Sequence, residues 1–195
     1  TVSVATAGRG NAGKLQISAS ESVEVVGTSA NGNFKSQITA AVMPEGTGTG
    51  GSVKLSTGEM IVRDGGEVTV SSTGLGTAGN LEIQARSVSL NNQGTITATT
   101  RSGQGGNITL YLEDLLLLRN RSQISTTAGG RQFGGDGGNI TINSPFIVAI
   151  PKEDSDIAAN AFSGKGGMVN INTNGLFGIA VQESPDRTQR HYSKF

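Results

Sequence analysis

One short phrase is written six times along this chain, and no other feature narrows the fold as much. Its clearest copy is Gly105-Gly106-Asn107-Ile108-Thr109-Leu110. Take Gly13, Gly51, Gly79, Gly106, Gly138 and Gly167 as origins. The second residue onward is then Leu15, Val53, Leu81, Ile108, Ile140 and Val169, and the fourth is Ile17, Leu55, Ile83, Leu110, Ile142 and Ile171. Between them stand Gln16, Lys54, Glu82, Thr109, Thr141 and Asn170, polar every time. A glycine followed by strict alternation reads as a turn entering a half-buried β-strand. An internal period of this kind decides the architecture before any other signal is weighed.

The origins recur 27–38 residues apart, and each unit has room for three short strands. In the third unit these are Leu81-Glu82-Ile83, Val88-Ser89-Leu90 and Ile96-Thr97-Ala98. The second strand recurs as Met60/Val62, Leu115/Leu117 and Ile147/Ala149, with Val23/Val25 one residue late in the first unit and Leu176 in the last. The third recurs as Ile38/Ala40, Val68/Val70, Ile124/Thr126 and Ile157/Ala159. Strands this short cannot stand as isolated hairpins, so they predict an all-β, three-faced parallel β-helix in which each face is a sheet running along the axis. Right-handed coiling follows by analogy with other parallel crossovers. The expected molecule has about six coils, incomplete at both ends. Val2-Ser3-Val4 reads as a third strand with nothing before it, which predicts further coils upstream. Residues 1–183 form the repeat segment and 184–195 a polar, basic tail. The polar stretches 27–37 and 128–137 are expected as projecting loops.

Composition agrees with a thin, repetitive core. Apolar residues make up 34% and aromatics 4%, too little for a conventional two-layer interior but enough for a column of stacked aliphatics. Fifteen basic and fifteen acidic residues cancel, leaving no electrostatic footprint for nucleic acid. The longest pure leucine run, Leu115 to Leu118, is far short of a membrane span, so no membrane insertion is expected. Without cysteine there is neither a disulfide scaffold nor a thiolate metal site.

The repeated GGNIxI phrase, the string Ser155-Asp156-Ile157-Ala158-Ala159-Asn160-Ala161-Phe162 and the segment Gly175-Leu176-Phe177-Gly178-Ile179 resemble the haemagglutinin-repeat region of filamentous-haemagglutinin-like exoproteins. These are the passengers of bacterial two-partner secretion. The resemblance runs to about Glu183. It implies a right-handed β-helix that is exported through an outer-membrane transporter, is secreted or held at the cell surface, and serves in adhesion to a receptor, glycan or protein. It carries no catalytic motif and no cofactor.

Several local patterns invite a chemical reading. Gly8/Gly10/Gly13, Gly46/Gly48/Gly51 and Gly74/Gly76/Gly79 match G-x-G-x-x-G, but each precedes a strand rather than opening a helix, so they read as corners. Gly134-Gly135-Asp136-Gly137-Gly138 looks like a calcium-binding nonapeptide but occurs once, whereas such loops share ligands between tandem copies. Glu21 and Glu59 are the best carboxylate pair for polysaccharide cleavage, with Arg86 as the nearest base, yet they fall at a corner where charge is ordinary. His191 has no partner for a triad or metal site. Thr95, Thr97 and Thr99 form a flat hydroxyl row that the next coil breaks with Gln123 and Ser125. Asn80, Asn107 and Asn139 hold one offset in three consecutive coils and predict a hydrogen-bonded ladder.

One row is more apolar than an outer face requires. With Leu115/Leu117 and Ile147/Ala149 inward, Leu116, Leu118, Val148 and Ile150 point out, continued by Phe177 and Ile179. The expected result is an exposed stripe: a partner surface, or a face covered by the chain's own loops or tail. The leading functional expectation is a structural and adhesive shaft segment of a large exported surface protein, without enzymatic activity. The alternative is a carbohydrate-binding or polysaccharide-cleaving β-helix, distinguished by carboxylates and bases converging in a groove on one face.

Overall fold

A computed structural model describes residues 1–130 and 134–179. The chain is a parallel β-solenoid of about five turns. The predicted third strands are β1 (Val2–Thr6), β4 (Gln37–Val42), β6 (Glu67–Ser72), β8 (Thr95–Thr100), β10 (Gln123–Ala128) and β13 (Asp156–Ala161). They form one six-stranded sheet in that order, every neighbour parallel. Its register matches the expected alignment, with Ile38 paired to Val68, Val68 to Ile96, Ile96 to Ile124 and Ile124 to Ile157.

The other two expected faces merge. In the second, third and fourth coils the first and second strands run together as β5 (Ser52–Arg63), β7 (Leu81–Asn91) and β9 (Ile108–Leu118). They are separate in the first coil, as β2 (Lys14–Ser18) and β3 (Ser22–Val26), and in the fifth, as β11 (Ile140–Asn143) and β12 (Phe146–Ala149). There the corner holds Pro145, which has no N–H to continue a ladder. The sixth unit supplies β14 (Val169–Asn172) and β15 (Gly175–Phe177); residues 180–181 of the 176–181 segment expected as its second strand, and the 184–195 tail, lie outside the described residues.

Inside runs an aliphatic column. Leu55, Ile83, Leu110 and Ile142 come from the first strands, Met60, Val88, Leu116 and Ile147 from the second, and Val68, Ile96 and Ile124 from the third, all 0–1% exposed. Burying each such side chain contributes on the order of 1.5–3 kcal/mol, and these burials are what the thin core has to offset chain entropy. Inward residues of the outermost strands stay partly open: Val2, Val169 and Leu176 are 39–50% exposed.

The repeat glycines do more than turn the chain. A Cβ on Gly51, Gly79, Gly106, Gly138 or Gly167 would overlap the carbonyl oxygen of the origin glycine one coil earlier. None of the five has positive φ, so the requirement is close stacking of peptide groups between coils, not left-handed backbone. Left-handed residues gather instead at the corner before the third strand, where Asp64, Asn92, Asn120 and Asp154 have φ of 43–57°.

The 27–37 connection is a miniature hairpin. Thr28 bridges Lys35 antiparallel, the Ser29 amide donates to the Phe34 carbonyl at 2.6 Å, and Phe34 is exposed on the returning arm. Lys35 approaches Glu67 at 3.5 Å and ties the hairpin base to the third-strand sheet. Of the 128–137 connection, residues 131–133 lie outside the described residues.

Candidate functional site

Two outer surfaces hold the candidate chemistry. The first is the apolar row on the second strands, where the structure corrects the expected register. Leu116 and Leu118 do not face outward; both are fully buried in the column, paired with Val88 and Leu90 on one side and Ile147 and Ala149 on the other. The cause is one extra residue at the bend of the fourth coil. Ala85 pairs with Leu112 and Ser87 with Leu115, so Arg86 alone lies opposite Glu113 and Asp114. Such a bulge moves every following side chain to the other face. The outward members are therefore Leu115 and Leu117. They pair onward with Phe146 and Val148, which pair with Gly175 and Phe177.

The remaining expected positions behave as follows. Val148 is half-buried on the outside, Ile150 and Phe177 are exposed, and Ile179 packs partly against the core. Phe146 was not anticipated and is 49% exposed. Gly175 makes room for two rings: a Cβ there would stand 2.7 Å from Cε2 of Phe177 and 3.1 Å from Cδ1 of Phe146. The stripe crosses three coils, with Leu115 and Leu117 in place of Leu116 and Leu118, Phe146 added, and Ile179 turned toward the core.

The second surface is a groove of about 580 Å³ along the bend between the first and second strands. Its lining spans five coils, from Ala19 and Ser20 to Asn143. One wall is formed by Ser56, Gln84, Tyr111 and Asn143, part of an outward row in strict register that Ser18 and Asn172 extend beyond the groove. The other wall holds the bend residues Gly58, Arg86 and Glu113. Arg86 lies 3.1 Å from Glu59 and 3.8 Å from Asp114, joining three coils. On the flank of the row, Glu82 receives hydrogen bonds from Lys54 at 2.9 Å and from Gln84 at 2.8 Å.

Of the carboxylate pair singled out by sequence, only Glu59 reaches this cluster. Ser22 pairs with Glu59, which leaves Glu21 level with Gly58, and the Glu59 amide donates to the Glu21 carbonyl at 2.7 Å. Sequence reasoning missed Gln84, Tyr111 and Asn143. Their signal was present, since all three stand five residues after an origin glycine.

Other flagged residues serve the stack. The Asn107 side chain donates to Asn80 Oδ1 at 3.1 Å. The amides of Asn107, Asn139 and Met168 donate in turn to the Oδ1 atoms of Asn80, Asn107 and Asn139, at 2.8–3.2 Å, so the expected ladder is present. Asp136 accepts from the Lys165 amide at 2.9 Å, the same use of a side-chain oxygen one coil apart. On the third-strand sheet, Thr39, Thr69, Thr97 and Ser125 stand in register, with Thr97 donating to Thr69 at 2.8 Å; the hydroxyl column is longer than the sequence suggested, and its members are buried. His191 lies outside the described residues.

Two corner carboxylates are electrostatically tuned. Hydrogen bonding to Arg119, at 2.6 and 2.8 Å, holds Glu153 below the ordinary glutamate range, helped by the Asn120 amide. Asp64 is likewise lowered, first by the Asn92 side chain and then by Arg63.

The geometry defines a class, a parallel β-solenoid with one apolar and one polar outer surface. Comparison with protein-family models, with curated proteins and with solved structures finds no match.

Proposed function

We propose that the chain is a structural and adhesive shaft segment of a large exported surface protein, of the filamentous-haemagglutinin-like kind that its repeat motifs resemble. The observation that supports this reading is the unbroken parallel ladder from β1 to β13, six strands in one register with a solid aliphatic column behind it. Such a stack resists bending and shear because each coil is hydrogen-bonded to the next along its whole face. The small hairpin with its exposed Phe34, and the apolar stripe, are then displayed from a rigid support at fixed height.

The test is location. Antibody raised against the chain is expected to label intact, unpermeabilised cells of the organism that makes it. Label that appears only after permeabilisation contradicts the proposal.

The alternative reading, a carbohydrate-binding or carbohydrate-cleaving β-helix, draws its support from the groove. Its cleaving form asks for two carboxylates placed on either side of a scissile bond. Glu59 and Asp114 instead approach a single guanidinium. The groove therefore favours holding a chain over cutting one.

A further inference from the structure

We propose that the groove at the bend binds an extended, uncharged polysaccharide lying parallel to the solenoid axis, with the ring of Tyr111 as its sugar platform. This concerns the chemical partner of one surface. It holds or fails whether or not the chain belongs to an exported fibre.

Shape comes first. The groove is linear and crosses five coils, and its volume is in the range of ligand-binding clefts. Its outward row repeats at the inter-strand spacing, so Ser56, Gln84, Tyr111 and Asn143 span roughly 14 Å along the axis. A guest that is itself linear and periodic can meet each coil in turn, and a compact metabolite cannot.

The chemistry of the row points to sugar. The protein has only two tyrosines, and Tyr111 stands 47% exposed on the wall of this groove. A phenol presents an apolar face and a polar tip, which match the C–H face and hydroxyl rim of a pyranose. On either side of it are the amides of Gln84 and Asn143. An amide offers a donor and an acceptor together, as does each sugar hydroxyl, so neighbouring hydroxyls can be satisfied from both ends.

Charge narrows the class. The bend carries Glu59, Glu113 and Asp114 against one guanidinium, that of Arg86, and the flank carries the paired Lys54 and Glu82. The charged residues lining the groove, Arg86 and Glu113, cancel, and Glu59 and Asp114 already occupy the guanidinium, so among the described residues no unpaired cation is left there to hold a sulfated or uronic polymer.

The experiment titrates the full 195-residue chain with cellohexaose, chitohexaose and β-1,4-mannohexaose, followed by calorimetry and by tyrosine fluorescence. At least one hexasaccharide is expected to bind in the millimolar range or tighter. Tyr111→Ala should weaken that binding about tenfold or more, the scale of a lost aromatic anchor, while Tyr111→Phe keeps most of it. Phe177→Ala, on the other outer surface, should leave it unchanged. Gln84→Ala is the second probe should Tyr111→Ala fold poorly, and a severalfold loss is expected. Binding by none of the three hexasaccharides overturns the proposal. So does binding that is unaffected by both Tyr111→Ala and Gln84→Ala, or a preference for dextran sulfate over every neutral probe.

Discussion

At the scale of single residues, the fold rests on atoms that are missing. Gly106 has no Cβ, and the space a Cβ would fill belongs to the Gly79 carbonyl. Gly106→Ala should therefore force two coils apart and lower stability by roughly 1–3 kcal/mol or more. Gly8→Ala, where no atom lies within 4 Å of the added carbon, should be within about 0.5 kcal/mol of wild type. Chemical denaturation of both variants checks the contrast. Glu153 gives a second prediction, in pH. Its carboxyl is held low in the folded state by Arg119, so the folded chain binds its proton less readily than the unfolded chain does. The stabilisation is complete above the ordinary glutamate value of about 4.3 and is lost as pH falls below that, through the lowered folded value. Wild type and Glu153→Gln should differ in thermal midpoint at neutral pH and converge in acid.

At the scale of elements, legibility followed alternation. First strands such as Leu81-Glu82-Ile83 and third strands such as Ile96-Thr97-Ala98 alternate cleanly, and each fell in its expected register. The second strand of the fourth coil did not, because Leu115 to Leu118 is apolar at every position and carries no phase. A fixed offset from Gly106 then overlooked the extra residue at Glu113-Asp114. The first coil has a comparable extra residue, but there the polar Ser22 and Glu24 reveal the shift. The groove was hidden for another reason: a bend between two strands is a property of backbone direction, and Ser56, Gln84, Tyr111 and Asn143 share no chemistry that marks them as one row. The corrected register is tested by a pair of variants. Leu116→Ala should cost about 2–5 kcal/mol as a core truncation, and Leu115→Ala much less; the larger loss in Leu115→Ala would reverse the register.

At the scale of the molecule, stability is a sum of coils and of the contacts between neighbours. The third and fourth coils have a partner on each side and contribute the fully buried Ile83, Leu90, Leu110 and Leu118. β1 and β14 each hydrogen-bond a neighbouring strand on one side only among the described residues. Amide hydrogen exchange should therefore be slowest in β7 and β9 and fastest in β1 and β14, grading outward coil by coil. Uniform protection from end to end would mean that the stack opens as one unit.

The column of origin glycines has a wider consequence. Where Gly51, Gly79, Gly106, Gly138 and Gly167 meet, the pitch of the solenoid is gauged by peptide against peptide, with no side chain in between. Substitutions elsewhere on the outer surface leave that gauge untouched. Loops can lengthen, the bend can gain a residue as it does at Glu113-Asp114, and an outward row can change from serine to glutamine to tyrosine while the coils keep their rise. The seam separates the ruler from what is written along it, so the outer rows are free to diversify without renegotiating the fold.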